Sequence, residues 1–219
     1  MVATPLNGEL FRGGMARDDI IKAALKGAEK ANRTFSKWSD GGWICDYGVE
    51  GFLVGEIARS IKKACPKMIL SMEAPFKEML GYSGKRGPGR IPAILKGAKR
   101  VDIALWDPQW RPTYVIEVKR DWYGGCYDDL RRLHELRRNY STVECGLFVL
   151  LVLAQGDRKE LEEQVKGNKE WIRENLPECK YRFHCGLKYN RPFTEGGWMA
   201  TSLCLEMYGP PANGAVKGV

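Results

Sequence analysis

The sequence predicts an α/β fold in which a sheet of mixed strand direction is covered by helices. Two amphipathic helical patterns come first, then three short segments rich in β-forming residues, and then an unbroken apolar segment set between two charged helical patterns. Strands alternating with helices of this length require a sheet with helices packed on it.

The elements follow in order. Residues 17–38 carry Ile20, Ala24, Ala28 and Ala31 at helical spacing with Asp18 and Asp19 near the start, which predicts a helix packed outside the sheet. A Gly-rich turn, Asp40 to Gly42, precedes a second helix over 47–64, stopped by Pro66. Residues 68–75 (MILSMEAP), 100–106 (RVDIALW) and 113–119 (TYVIEVK) are the first three strands, and six turn-like residues join the last two. A helix over 127–139 leads to 146–154 (GLFVLLVLA), whose continuous apolar character suits a strand buried on both faces. A charged helix spans 158–175 before Pro177, one or two further strands are expected beyond it, 198–208 among them, and 209–219 is expected to be a frayed tail. With 219 residues and 44% apolar content, residues 1–208 are expected to form one domain.

Lys and Arg outnumber Asp and Glu by 35 to 27, a net charge of +8 that favours polyanionic partners. The seven cysteines are scattered without a C-x-x-C pair, and only two histidines accompany them. Neither a disulfide framework nor a zinc site is suggested, and the cysteines are expected to be small, reduced core residues. The longest apolar run is the ten residues 145–154, too short to cross a membrane, and a cytoplasmic setting is expected.

Alternation places Val101, Ile103 and Leu105 on one face of the second strand and Asp102, Ala104 and Trp106 on the other. In the third strand Ile116 and Val118 oppose Glu117 and Lys119. A symmetric loop sets Trp106 across from Thr113, Ala104 across from Val115 and Asp102 across from Glu117, with Cβ atoms roughly 4.5–5.5 Å apart. Opposed carboxylates destabilise a hairpin unless something offsets them, and a divalent cation with oxygen ligands does so. Two carboxylates beside Lys119 suit phosphodiester hydrolysis, in which Mg²⁺ or Mn²⁺ neutralises the phosphate and activates a water while the lysine orients that water or stabilises developing charge. By itself Glu117-x-Lys119 reads first as an ordinary same-face pair worth well under ~1 kcal/mol, and it is the aspartate on the neighbouring strand that favours the site. The same spacing recurs at Glu178 and Lys180, with no preceding strand that delivers an aspartate, and that copy is expected at the surface.

On the second helix Val54, Ile57, Ile61 and Ala64 form the apolar stripe, Glu50 lies near its centre, and Glu56 lies near the charged side. An inward carboxylate needs a partner or a metal, so Glu50 is either a further acid of the site or a first-turn residue serving the helix dipole behind Asp46 as N-cap. Glu73, in the first strand, is a weaker candidate.

The helix VEGFLVGEIARSI, the strand RVDIALW, the strand VIEVK, the helix DDLRRLHELRRN and the strand GLFVLLVLA together resemble the PD-(D/E)xK superfamily of restriction-endonuclease-like nucleases. The resemblance covers residues 47–154. It implies a restriction-endonuclease-like αβββαβ core, with Asp102 and Glu117 as metal ligands, the Val118 backbone carbonyl as an additional ligand, Lys119 as catalytic lysine and Glu50 assisting. The family's proline is absent, since Val101 precedes Asp102. Some members keep the fold for other roles, so a non-catalytic nucleic-acid-binding module and a regulatory interaction subunit stand as alternatives. Many act as homodimers to cut two strands.

Nucleic acid, DNA in preference to RNA, is the expected partner. Residues 77–100 hold seven basic residues, including Lys85, Arg86, Arg90, Lys96, Lys99 and Arg100, with five glycines and one acid. Such a segment can follow a phosphate backbone and would bind in a salt-sensitive way. Arg120, Trp122 and Tyr123 follow the third strand directly, where an aromatic ring would stack on a base or cap a core. On the helix over 127–139, Leu130, Leu133 and Leu136 are expected to be buried and Arg131, Arg132, Arg137 and Arg138 displayed, with His134 at the surface.

Overall fold

The computed structural model describes residues 13–82, 91–96, 99–122, 125–186, 189–190 and 198–208. The elements are α1 (Gly13–Trp38), α2 (Ile44–Tyr47), α3 (Glu50–Ala64), β1 (Ile69–Pro75), α4 (Phe76–Tyr82), a 3₁₀ turn (Ala93–Leu95), β2 (Arg100–Trp106), β3 (Pro112–Lys119), α5 (Gly125–Asn139), β4 (Cys145–Gln155), α6 (Arg158–Asn175), β5 (Lys180–Cys185), β6 (Tyr189–Asn190) and β7 (Trp198–Tyr208). The strands form one mixed sheet in the order β1-β2-β3-β4-β7-β5, with β6 also on β7. Among the described residues only β3 and β4 run parallel; the other pairs are antiparallel. A parallel neighbour needs a crossover, and α5 supplies it.

Each face of the sheet has its own core. Ile103, Leu105, Ile116, Val118, Leu147, Val149 and Leu151 pack under α1 and α3. Ala104, Val115, Phe148, Leu150, Val152, Leu203 and Leu205 pack under α5 and α6. The unbroken apolar run of β4 thus divides residue by residue between two covered faces, as a central strand must. On α1 the stripe Ile20, Ala24, Ala28 and Ala31 is fully buried. The small residues let α1 come close to α3: a Cβ on Gly27 would stand 2.6 Å from the Ile57 Cα.

Five expectations need correction. The second helix begins at Glu50, not at 47, because Gly48 breaks the run: its N–H donates to the Ile44 carbonyl at 2.8 Å and closes α2 as a separate turn. Val49, not Asp46, is the N-cap of α3, and Asp46 instead accepts weakly from the Trp43 N–H at 3.4 Å. Glu56 is buried, since α1 covers that flank of α3 and brings Lys30 Nζ to 2.9 Å from its carboxylate, with Arg59 at 3.2 Å. The basic segment after β1 opens with a helix, α4, whose Phe76 and Met79 are buried. Among the described residues three strands lie beyond α6, not one or two; β5 (KYRFHC) is a half-exposed edge without clean alternation, which hides it in the sequence.

The hairpin holds the expected register at Ala104–Val115 but shifts by one residue at its tip, where Trp106 faces Pro112. The turn is closed by Asp107, whose Oδ1 accepts from the Gln109 and Arg111 N–H groups at 2.9 Å each. At the other end of β2, Val101 lies in the α5-side core with Ala104, away from Ile103. The cause lies beside it in β1: Glu73 has a left-handed φ of 53° between the Met72–Ile103 and Ala74–Val101 pairs, and simple alternation ends there.

Among the described residues no helix is long and apolar enough to cross a membrane. The α1–α3 contact predicts that Gly27→Val destabilises the protein by about 1–3 kcal/mol through overpacking, read as a lower urea midpoint with unchanged slope.

Candidate active site

The site grows from the sheet face under α5. Ile103 pairs with Ile116 and Ala104 with Val115, so Asp102 and Glu117 come next in line. Their carboxyl groups interact directly, and Asp102 Oδ2 also accepts from the Val118 N–H at 2.7 Å. Glu117 is 2% exposed and Lys119 8%, whereas Asp102 and Glu50 are half-buried, so the cluster is open to solvent on their side.

Lys119 Nζ lies 3.2 Å from Glu50 Oε1 and 3.2 Å from Asp129 Oδ2. The first contact confirms that Glu50 reaches across from the first turn of α3 to the end of β3. Arg120 secures that approach: its Nη1 donates to the Gly48 carbonyl at 2.9 Å, tying the end of β3 to the turn before α3.

Two members of the cluster are absent from the set expected from sequence. Asp129 and Arg132, on α5, are buried and form an ion pair, and Arg132 Nη2 also stands 3.6 Å from Glu117 Oε1. Arg132 is therefore not displayed to solvent with its charged neighbours. A signal was present, since Asp129, Arg132, Leu133 and Leu136 follow the i, i+3, i+4, i+7 spacing of an inward face.

The electrostatics are those of crowded carboxyls in a dry place. Burial, aided by the charge of Asp102, pushes the Glu117 carboxyl up to about 8 against the opposing pull of Arg132 and Lys119. Burial also raises the Asp102 carboxyl, while the Val118 N–H and Lys119 pull it down. Glu117 Oε1 is buried with no hydrogen-bond partner among the described residues. While Glu117 keeps its proton, the carboxylates of Glu50, Asp102 and Asp129 face the cations of Lys119 and Arg132 with one negative charge in excess; loss of the Glu117 proton raises the excess to two, the charge of one divalent cation. The unsatisfied donors are oxygens, which suits a hard cation such as Mg²⁺ or Mn²⁺.

Lys96, Lys99 and Arg100 are exposed, and Arg100 Nη1 donates to the Glu73 carbonyl at 2.9 Å. Glu73 itself is exposed and forms no part of the cluster. Lys85, Arg86, Arg90 and Tyr123 lie outside the described residues, as does 209–219. Trp122 packs edge-on against Trp171 and Phe148, with ring centroids 5.0 and 6.4 Å away, so its ring caps the α5-side core. In the second acid-x-lysine copy Glu178 and Lys180 are exposed, but Cys179 between them is buried. None of the seven cysteines forms a disulfide.

No family model, curated protein or solved structure matches the chain.

The sign of the pH dependence follows from Glu117. A glutamate ionises near 4.5 in the unfolded chain and near 8 here, so between those values the folded state holds more protons and stability falls as pH rises. The metal-free protein should therefore lose stability from about pH 5 to about pH 8, and Glu117→Gln should flatten that decline, as read from urea midpoints across the range.

Proposed function

We propose that the protein is a metal-dependent nuclease that hydrolyses phosphodiester bonds of nucleic acid, DNA in preference to RNA. One observation carries the reading: the carboxyl pair of half-buried Asp102 and buried Glu117, with a Glu117 oxygen that has no hydrogen-bond partner among the described residues, beside a lysine held by two further acids. A fold has no structural reason to bury such a pair unless something completes it.

Element order lends support. A helix bearing Glu50, an antiparallel β1-β2-β3 meander with α4 inserted after β1, the helix α5 and a β4 parallel to β3 are compatible with the αβββαβ order of a restriction-endonuclease-like core and support the reading.

Asp102 and Glu117 would hold Mg²⁺ or Mn²⁺, with the Val118 carbonyl as a further ligand. Such a cation neutralises charge on the scissile phosphate and lowers the pKa of a bound water. Lys119 is fixed between Glu50 and Asp129, so its ammonium meets the attacking water or a phosphate oxygen without reorganising. Arg132, anchored by Asp129, steadies Glu117. Lys96, Lys99 and Arg100 supply phosphate contacts at the entrance to β2, continued by Lys85, Arg86 and Arg90 of the preceding segment.

Incubation of the protein with linear, circular, single-stranded and branched DNA and with RNA, in Mg²⁺, Mn²⁺ or EDTA, tests the reading. Metal-dependent cleavage is expected. Asp102→Asn and Glu117→Gln should each lower it by at least about 10²-fold, and Lys119→Met by about 10²–10³-fold, with binding to DNA retained and weakened by salt. Cleavage that persists in EDTA, or in both carboxamide variants, would remove these residues from the chemistry. Salt-sensitive binding with no turnover in any metal would instead identify a binding module.

A further inference from the structure

A second cluster lies outside the carboxylate site, where α5 meets the turn between α6 and β5. His134 Nδ1 is 2.9 Å from Cys179 Sγ, and a carboxylate oxygen of Glu178 completes a triad whose ligand atoms all lie within 4.8 Å of one another. Cys179 is buried, His134 half-buried and Glu178 exposed, so the triad opens to solvent on one side.

We propose that His134, Glu178 and Cys179 form a site for a thiophilic divalent cation, Zn²⁺ before others, which clamps α5 to the turn preceding β5. One sulfur, one imidazole nitrogen and one carboxylate oxygen are the donor types that tetrahedral zinc takes, and a fourth position stays open toward solvent. Bond lengths of about 2.3 Å to sulfur and about 2.0 Å to nitrogen put those two donors about 3.5 Å apart around a tetrahedral ion. The observed contact is closer than that, so a modest opening of the pair admits the cation. Without metal the thiol keeps its proton, because burial and the charges of Glu178 and Glu135 push Cys179 up to about 12. The same negative surroundings attract a cation, and on binding the thiol proton passes to solvent while the neutral imidazole donates its Nδ1 lone pair. The site stands apart from the Asp102–Glu117 pair in donor chemistry, since that pair offers only oxygen.

The test uses the full chain, freed of metal with a chelator and titrated with Zn²⁺ or Co²⁺. One equivalent of Zn²⁺ should survive gel filtration and raise the melting temperature. Co²⁺ should produce a thiolate-to-metal charge-transfer band in the near ultraviolet, which an all-oxygen site cannot give. Cys179→Ser should abolish the band, and the half-buried His134→Ala, a milder change for folding, should weaken Zn²⁺ binding at least about tenfold. Replacement of the exposed Cys185 by serine should change nothing. No charge-transfer band, or a band indifferent to both Cys179→Ser and His134→Ala, would overturn the proposal and leave the 2.9 Å contact as a thiol–imidazole hydrogen bond.

Discussion

Two carboxyl groups forced together inside the sheet are the constraint around which this molecule is arranged. Asp102 and Glu117 sit on adjacent strands, facing a helix, where water is scarce and like charges repel. Everything near them lessens that repulsion: the Val118 N–H on Asp102, the Arg132 guanidinium beside Glu117, and Lys119 behind both. These offsets are incomplete, since a buried Glu117 oxygen keeps no hydrogen-bond partner among the described residues.

The fold delivers the compensating groups from three directions. Lys119 comes with the strand itself, Glu50 from the first turn of α3, and Asp129 with Arg132 from the crossover helix. That helix exists because β3 and β4 are parallel neighbours, so the chain must return from the end of β3 to the opposite end of the sheet where β4 begins. The connection that closes the topology therefore also furnishes two charges of the site. Arg120, bonded to the Gly48 carbonyl, links the approach of α3 to the same strand end.

Much of this was legible in the residues. Period-two patterning located β2 and β3 and brought Asp102 beside Glu117, and an unbroken apolar run located β4. The apolar stripe of α3 pointed Glu50 inward. Asp129 and Arg132 escaped because charged residues on a helix are ordinarily solvated, and only their place in the inward spacing betrays them. Glu56 escaped because a single helix cannot reveal that another will cover its polar flank. The approach of His134 to Cys179 depends on how α5 settles against a turn 45 residues away, a tertiary fact with no local trace. Val101 changed sides because one left-handed residue in the neighbouring strand interrupts the pleat.

That left-handed residue, Glu73, has a wider meaning. β1 forms the outer border of the sheet, where an unpaired backbone would invite strand addition by another molecule. A kink in the middle of that border, with a charged side chain exposed at the kink, denies a newcomer a regular ladder to dock on. The same irregularity that moves Val101 to the α5-side core thus makes β1 a less regular template for strand addition.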